Sequence, residues 1–339
     1  MAVTIKEIAD KLGISISTVS KGLNGANDIS EDLRQKVLDT AVEMGYKTKR
    51  MRKEGHKKLA IFVKNMEYKK HDDFGYDLIL GFEQMAYREK WTVKTIFVTD
   101  LMQLHDKYET YMLKNGFSGA FLLGFSLVDE WMNQLSQTSI PTALLDNYVR
   151  KSPCVAYVGT DSDEGFDMAI DHLIRLGHTR IAFLNGEKDS MITKERQNAY
   201  ESHLIEHGIN PDPALMAYGE YSTTSARYHV PDFLKEGATA IMCGNDLIAM
   251  GVVEECEKAG YKVPRDISVI GYDDLPPAAN FYPPLTTIRQ DRLELGKSAF
   301  FTLSSLINHV AIGKTMLRPQ FIARNSTTTC NPYGPGKRG

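Results

Sequence analysis

The sequence predicts an α/β chain in which a small three-helix head precedes two doubly wound parallel-sheet lobes. Three observations carry this. The first 45 residues repeat apolar side chains at helical spacing. From Leu59 onward, short apolar runs alternate with amphipathic stretches of helix length. Charge also divides sharply along the chain. The 339 residues are 42% hydrophobic and 24% charged, ordinary for a globular protein of two or three domains. That composition excludes a disordered, collagenous or disulfide-framework chain.

The head reads in order. Thr4-Ile5-Lys6-Glu7 has the pattern of a capping box, and Ile5, Ile8, Ala9 and Leu12 follow on one helical face. Gly13 suits the left-handed stop of that helix. Ser15 caps a second helix with Val19 and Leu23 inward. Ser30 caps a third, carrying Leu33, Val37, Leu38, Ala41 and Met44 and ending at Gly45. A helix, a glycine turn and a second helix rich in Ser and Thr describe a helix-turn-helix. A small helical dimerisation unit is the competing reading of three short helices. Charge favours the first. Residues 1–58 hold twelve Lys/Arg and eight Asp/Glu, a balance of +4, while the rest carries −7. Seven cations crowd into 47–58 beside the single acid Glu54. A basic head on an acidic body is the asymmetry of a nucleic-acid reader joined to something else.

The body predicts strands at 59–63, 92–98, 119–125, 142–146, 155–159, 180–186, 240–246 and 267–274. Helices are expected around 77–90, 102–114, 163–176, 193–207, 224–236 and 246–259. Such alternation builds parallel sheets with right-handed crossovers, and about ten strands exceed one modest sheet. The four cysteines stand far apart, without metal or disulfide spacing. No apolar run approaches the roughly 18 residues of a membrane span. The amphipathic, charged start lacks a signal-peptide core, so a cytoplasmic place is expected. The last residues, NPYGPGKRG, read as a tail.

Taken together, VTIKEIADKLGISISTVSKGLNG, ISEDLRQKV, IDHLIRLGHTRIAFLNG, CGNDLIAMG, VPRDISVIGYDD and PPLTTIRQDRLELG resemble the lactose/galactose repressor (LacI/GalR) family of bacterial regulators, in that family's order. The resemblance runs over about residues 3–328. It implies a helix-turn-helix domain over 1–46, a basic hinge over 47–58 and a two-lobed, periplasmic-binding-protein-like body over 59–330. The N-lobe would comprise 59–158 plus 290–318, the C-lobe 162–286 plus 322–330, with a tail at 331–339. It implies that Ile16, Ser17 and Lys21 face DNA bases, while Thr4, Ser15, Thr18, Ser20 and Asn24 position the head through phosphates or caps. Lys21 stands where the family often has Arg, so a guanine contact there lacks the bidentate fork.

The linker departs from the family. Thr48, Arg52 and Gly55 replace its Pro, Ala and Leu, and Gly55 disfavours a continued helix. Two readings stand: Met51 wedges into the minor groove, or Lys49, Arg50 and Arg52 only neutralise phosphates.

In the body the resemblance implies a small-molecule effector between the lobes, at the carboxyl ends of strands. Phe74, Tyr76, Asp146, Asp161, Arg196, Tyr221, Asn245 and Asp273 are the candidate contacts. Carboxylates, an amide and an Arg pair vicinal hydroxyls, and aromatic faces cover sugar C–H groups. A sugar or sugar derivative is therefore expected, with a nucleobase as the alternative. Each residue also has a plainer reading: Asp161 supports the lobe junction, Tyr76 and Tyr221 pack, and Asp246 caps the next helix. No catalytic signature stands out, so no enzyme, cofactor or metal is expected. The expected protein is a homodimeric repressor on near-palindromic operator DNA, with no membrane partner. The competing class is a sugar-binding receptor without operator function.

Overall fold

The computed structural model describes residues 3–26, 28–46 and 57–331. The chain forms two compact units. The first comprises Met1–Met66, Ile79–Val158 and Gly296–Thr315; the second comprises Glu67–Leu78, Gly159–Leu295 and Met316–Gly339.

The first unit begins with the head: α1 (Ile5–Leu12), α2 (Ile16–Asn24) and α3 (Glu31–Glu43). Its caps follow the sequence. Thr4 Oγ1 accepts from Glu7 N while the Glu7 carboxylate accepts from Thr4 N, and Gly13 stops α1 at φ 65°. Ser15 and Ser30 cap α2 and α3. Ile8, Ala9, Val19, Val37, Leu38 and Ala41 form the head's core. Gly22 lets α2 lie against α3: a Cβ there would stand 2.9 Å from Val37 Cγ1.

The rest of this unit is a six-stranded sheet ordered β11-β5-β4-β3-β1-β2. Its strands are β1 (Lys58–Val63), β2 (Thr92–Phe97), β3 (Gly119–Leu123), β4 (Thr142–Leu145), β5 (Val155–Thr160) and β11 (Lys314–Leu317). The β1–β5 neighbours pair in parallel. Strands β1, β3, β4 and β5 are buried almost throughout, as expected of a sheet covered on both faces. Flanking helices include α4 (Phe74–Arg88), α5 (Asp100–His105), α6 (Tyr108–Asn115) and α7 (Glu130–Gln134). The single helix expected over 102–114 is broken. Asp106 is extended (φ −117°, ψ 121°), because its carbonyl accepts from Trp131 Nε1 and the next turn is anchored by Tyr108 N donating to Gln134 Oε1.

The second unit holds a sheet ordered β12-β10-β9-β8-β6-β7. These strands are β6 (Ile181–Asn185), β7 (Met216–Tyr218), β8 (Ala240–Cys243), β9 (Ser268–Asp273), β10 (Thr286–Arg289) and β12 (Gln320–Ile322). All neighbours are parallel except β10–β12. Helices α8 (Ser162–Arg175), α9 (Met191–Glu206), α10 (Ala226–Lys235) and α11 (Asp246–Lys258) supply the crossovers, followed by α12 (Pro276–Asn280). Helix α13 (Arg292–Ile307) leads from this unit back to the first. Strand carboxyl ends thus carry the candidate residues Asp146 after β4 and Asp273 at the end of β9. Among the described residues no helix is long and apolar enough to cross a membrane.

Candidate DNA-reading head and effector site

Helix α2 presents its amino end to solvent. Ser15, Ile16 and Ser17 are exposed, and Ile16 keeps 53% of its surface. A bare isoleucine at the start of a helix contributes nothing to the core and is free to meet a base edge or a thymine methyl. The other candidates are partly engaged within the head. Thr4 is occupied by the capping box. Thr18 Oγ1 lies 2.8 Å from Ser15 Oγ, and Asn24 Nδ2 donates to Ser20 O at 2.8 Å. Lys21 is ion-paired to exposed Asp28, and the lysine's hydrogen bond holds that carboxyl below its usual range. Any contact of Lys21 with DNA therefore competes with Asp28 for the ammonium. Lys49, Arg50, Met51 and Arg52 lie outside the described residues, so the hinge readings rest on sequence alone.

In the second unit several candidates converge. Arg196, 3% exposed on α9, places its guanidinium 3.8 Å from the Tyr272 ring centroid and donates to Gly244 O. Asp273 is 5% exposed. Its Oδ1 accepts from Gln290 Nε2 at 2.7 Å. Burial pushes its carboxyl up to about 6, against the pull of Arg196, the Gln290 hydrogen bond and Arg292. Asp273 also sits at φ 107°, with Asp274 next at φ 53°. Asp274 is clamped by Arg289 Nε and Arg324 Nη2, each at 2.6 Å, which fixes the loop after β9.

At the end of β8 the helix cap expected of Asp246 is made by its neighbour. The cap of α11 is Asn245, whose Oδ1 accepts from Ile248 N at 2.9 Å. Asp246 is instead the first helical residue and wholly buried. It accepts from Leu275 N at 2.7 Å and lies 2.6 Å from Thr287 Oγ1. Burial, then the Asp273 charge, drives its carboxyl far above the usual range. Asp161 caps α8, accepting from Asp163 N and Glu164 N. Tyr221 lies flat on the chain at Gly186, where a Cβ would stand 2.1 Å from its ring. Its hydroxyl is 2.9 Å from Thr193 Oγ1. Phe74 and Tyr76 open α4, half-buried. Asp146 belongs to the first unit, half-buried at φ 50°.

Three residues of this cluster escaped the sequence reading. Tyr272 stacks on Arg196, Gln290 holds Asp273, and Arg292, 7% exposed, pairs with Asp77 at 2.8 Å. For Gln290 and Arg292 the signal was the polar run directly after β10, since polar residues following a buried strand stand where parallel sheets place ligands; Tyr272 lies inside β9 and carried none.

A three-helix reader on a body of doubly wound lobes defines a DNA-binding regulator with a sensing body. Residues 4–49 match the model of bacterial regulatory proteins of the lacI family, and residues 170–327 match a periplasmic binding protein-like domain. The chain belongs to the lacI family, which is made up of transcriptional regulators rather than enzymes. It is 26% identical over 332 residues to the HTH-type transcriptional repressor PurR of Aliivibrio fischeri, covering 96% of this chain and 98% of the relative. Among solved structures it is similar to the lac repressor dimer bound to operator and the anti-inducer ONPF. That match has 26% identity, TM-score 0.68, and covers 97% of this chain and 100% of the other. The transcriptional regulator CelR–cellobiose complex shares the fold at TM-score 0.72 and 23% identity, over 96% and 99% of the two chains. The chain is a DNA-binding transcriptional repressor.

Proposed function

We propose that this repressor is controlled by a sugar or sugar derivative held by the second unit. The observation that carries the reading is the Asp273–Gln290–Arg196–Tyr272 cluster. A buried carboxylate and a buried guanidinium sit side by side at a strand end, where paired hydroxyls would find an acceptor and a donor together. Asn245, next to the Gly244 carbonyl that Arg196 binds, and Arg292, whose charge acts on Asp273, are taken as further contacts. The lac repressor structure holding ONPF supports a small-molecule effector on this fold.

DNA is read by Ile16, Ser17 and Lys21 at the amino end of α2, with Ser15, Thr18 and Ser20 on phosphates. The operator is near-palindromic because the protein is a homodimer. The described surface supports dimerisation: Leu80, Tyr87, Phe97, Leu101 and Leu104 on α4, β2 and α5 are all exposed apolar residues. The sister lac repressor structure is a dimer. Such a protein works where the chromosome is, in the cytoplasm.

The test is a thermal-shift screen of the full-length protein against mono- and disaccharides, their phosphates, and purine bases. A ligand of the native state raises the melting temperature. A sugar that does so in the native protein and not in Asp273→Ala supports the reading. Protection by purine bases alone replaces it with a nucleobase effector.

A further inference from the structure

The head is seated on its own lobe by a specific contact. Helix α3 lies against α6, more than 70 residues away in sequence. Thr110 Oγ1, fully buried, donates to Asp39 Oδ1 at 2.7 Å, across 71 residues. Lys114 Nζ donates to Glu31 Oε1 at 2.7 Å, across 83 residues, and this pairing depresses the Glu31 carboxyl. Between them Leu113, 7% exposed, joins the head's own core beside Val37, Leu38 and Tyr46. An apolar knob flanked by a hydrogen bond and an ion pair fixes rotation as well as position. The outer residues of α2 stay exposed in this seating.

We propose that the α3–α6 contact is a docking latch that sets the direction in which α2 faces DNA. It does so in a chain whose linker lacks the Pro, Ala and Leu of its family. The effect on DNA rests on the function proposed above; the contact itself does not. Helix α6 is tied in turn to β4, since the Tyr108 hydroxyl lies 2.7 Å from Thr142 Oγ1. Strand β4 ends at the effector candidate Asp146. The latch therefore gives the lobe a route to the head beside the linker.

The test uses the full-length protein. Amide hydrogen exchange is followed without DNA, and binding is measured to a duplex selected by the wild type from a random pool. Lys114→Glu is expected to speed exchange in α3 and α6 and to weaken duplex binding by about threefold, the scale of one partly exposed ion pair. Glu31→Lys combined with Lys114→Glu is expected to restore both. Thr110→Val removes the second polar contact with little change of shape and is expected to speed exchange as well. Unchanged exchange in Lys114→Glu, or no rescue in the double variant, overturns the latch. Faster exchange with unaltered duplex binding overturns its role in aiming α2. Failure of the wild type to select any duplex overturns the DNA reading, and the exchange data then judge the latch alone.

Discussion

Asp273→Asn removes a charge that the fold buries at a cost. The carboxyl rises from its ordinary 3.8 to about 6 because burial disfavours the anion. The attraction of Arg196 and Arg292 is already contained in that figure, because the group titrates beside them. At about 1.4 kcal/mol for each tenfold change in ionisation, holding the carboxylate ionised costs roughly 3 kcal/mol above pH 6. The sign follows from proton binding. Between the unfolded and folded values the native state binds more protons, so stability falls as pH rises through that window and the cost is complete above it. Asparagine tolerates positive φ about as well as aspartate and still accepts from Gln290 Nε2. The variant should therefore melt higher than wild type at pH 8, by at least about 6 °C for a unit of this size. At pH 5 the difference should shrink, because wild type is then mostly protonated. Scanning calorimetry at the two pH values checks this. Effector protection should disappear in the same variant. An equal gain at both pH values, or a lower melting temperature at pH 8, would refute the argument.

Three other outcomes are expected. Asp28→Asn frees Lys21 of its ion pair and should tighten duplex binding by about threefold, with no gain in a Lys21→Ala background, as fluorescence anisotropy would show. Gly22→Ala forces a methyl against Val37 Cγ1. It should destabilise the head by about 1–3 kcal/mol and abolish DNA binding, while calorimetry of the effector stays at wild-type affinity. Duplex affinity of the wild type should fall steeply with salt, each neutralised phosphate adding roughly 0.9 to the log–log slope, and truncation of residues 1–58 should remove that dependence.

Sequence reasoning reached the fold where periodicity was strong. The eight named runs are all strands: seven are buried almost throughout, as in a sheet covered on both faces, while β2 lies at a sheet edge with its residues half-buried or exposed. Strands β7, β10, β11 and β12 were not among them. They are three or four residues long, and none is a continuous apolar run buried throughout, so neither length nor apolar run marked them. The break between α5 and α6 was hidden for another reason. It depends on Trp131 and Gln134, which reach it from 25 and 26 residues away. The site shows the same boundary. Asp273 and Arg196 were legible as polar residues beside strands. Tyr272 was not, because it sits inside the β9 run and its role is its stacking on Arg196 rather than its own spacing.

The two buried carboxyls at neighbouring strand ends differ in kind, and Asp246→Asn exposes the difference. Asp273 combines a charge, a strained backbone and partners of opposite sign, which are costs that a packing residue would not carry. Asp246 is fully enclosed by Leu275 N and the Thr287 hydroxyl, with a carboxyl driven well above the usual range. A neutral Asp246 accepts from Leu275 N on one oxygen and gives its own proton to Thr287 Oγ1 from the other. Asparagine reproduces that pattern atom for atom: Oδ1 accepts from Leu275 N and Nδ2 donates to Thr287 Oγ1. The substitution should then change stability by less than about 0.5 kcal/mol at any pH between 5 and 8. An ionised Asp246 would instead be accepting from both neighbours. The amide would set one donor against another, at a cost of about 1–3 kcal/mol that grows as pH rises. Urea unfolding of Asp246→Asn across that range separates the two. A flat, near-zero difference assigns Asp246 to the scaffold and leaves Asp273 as the carboxylate available to an effector.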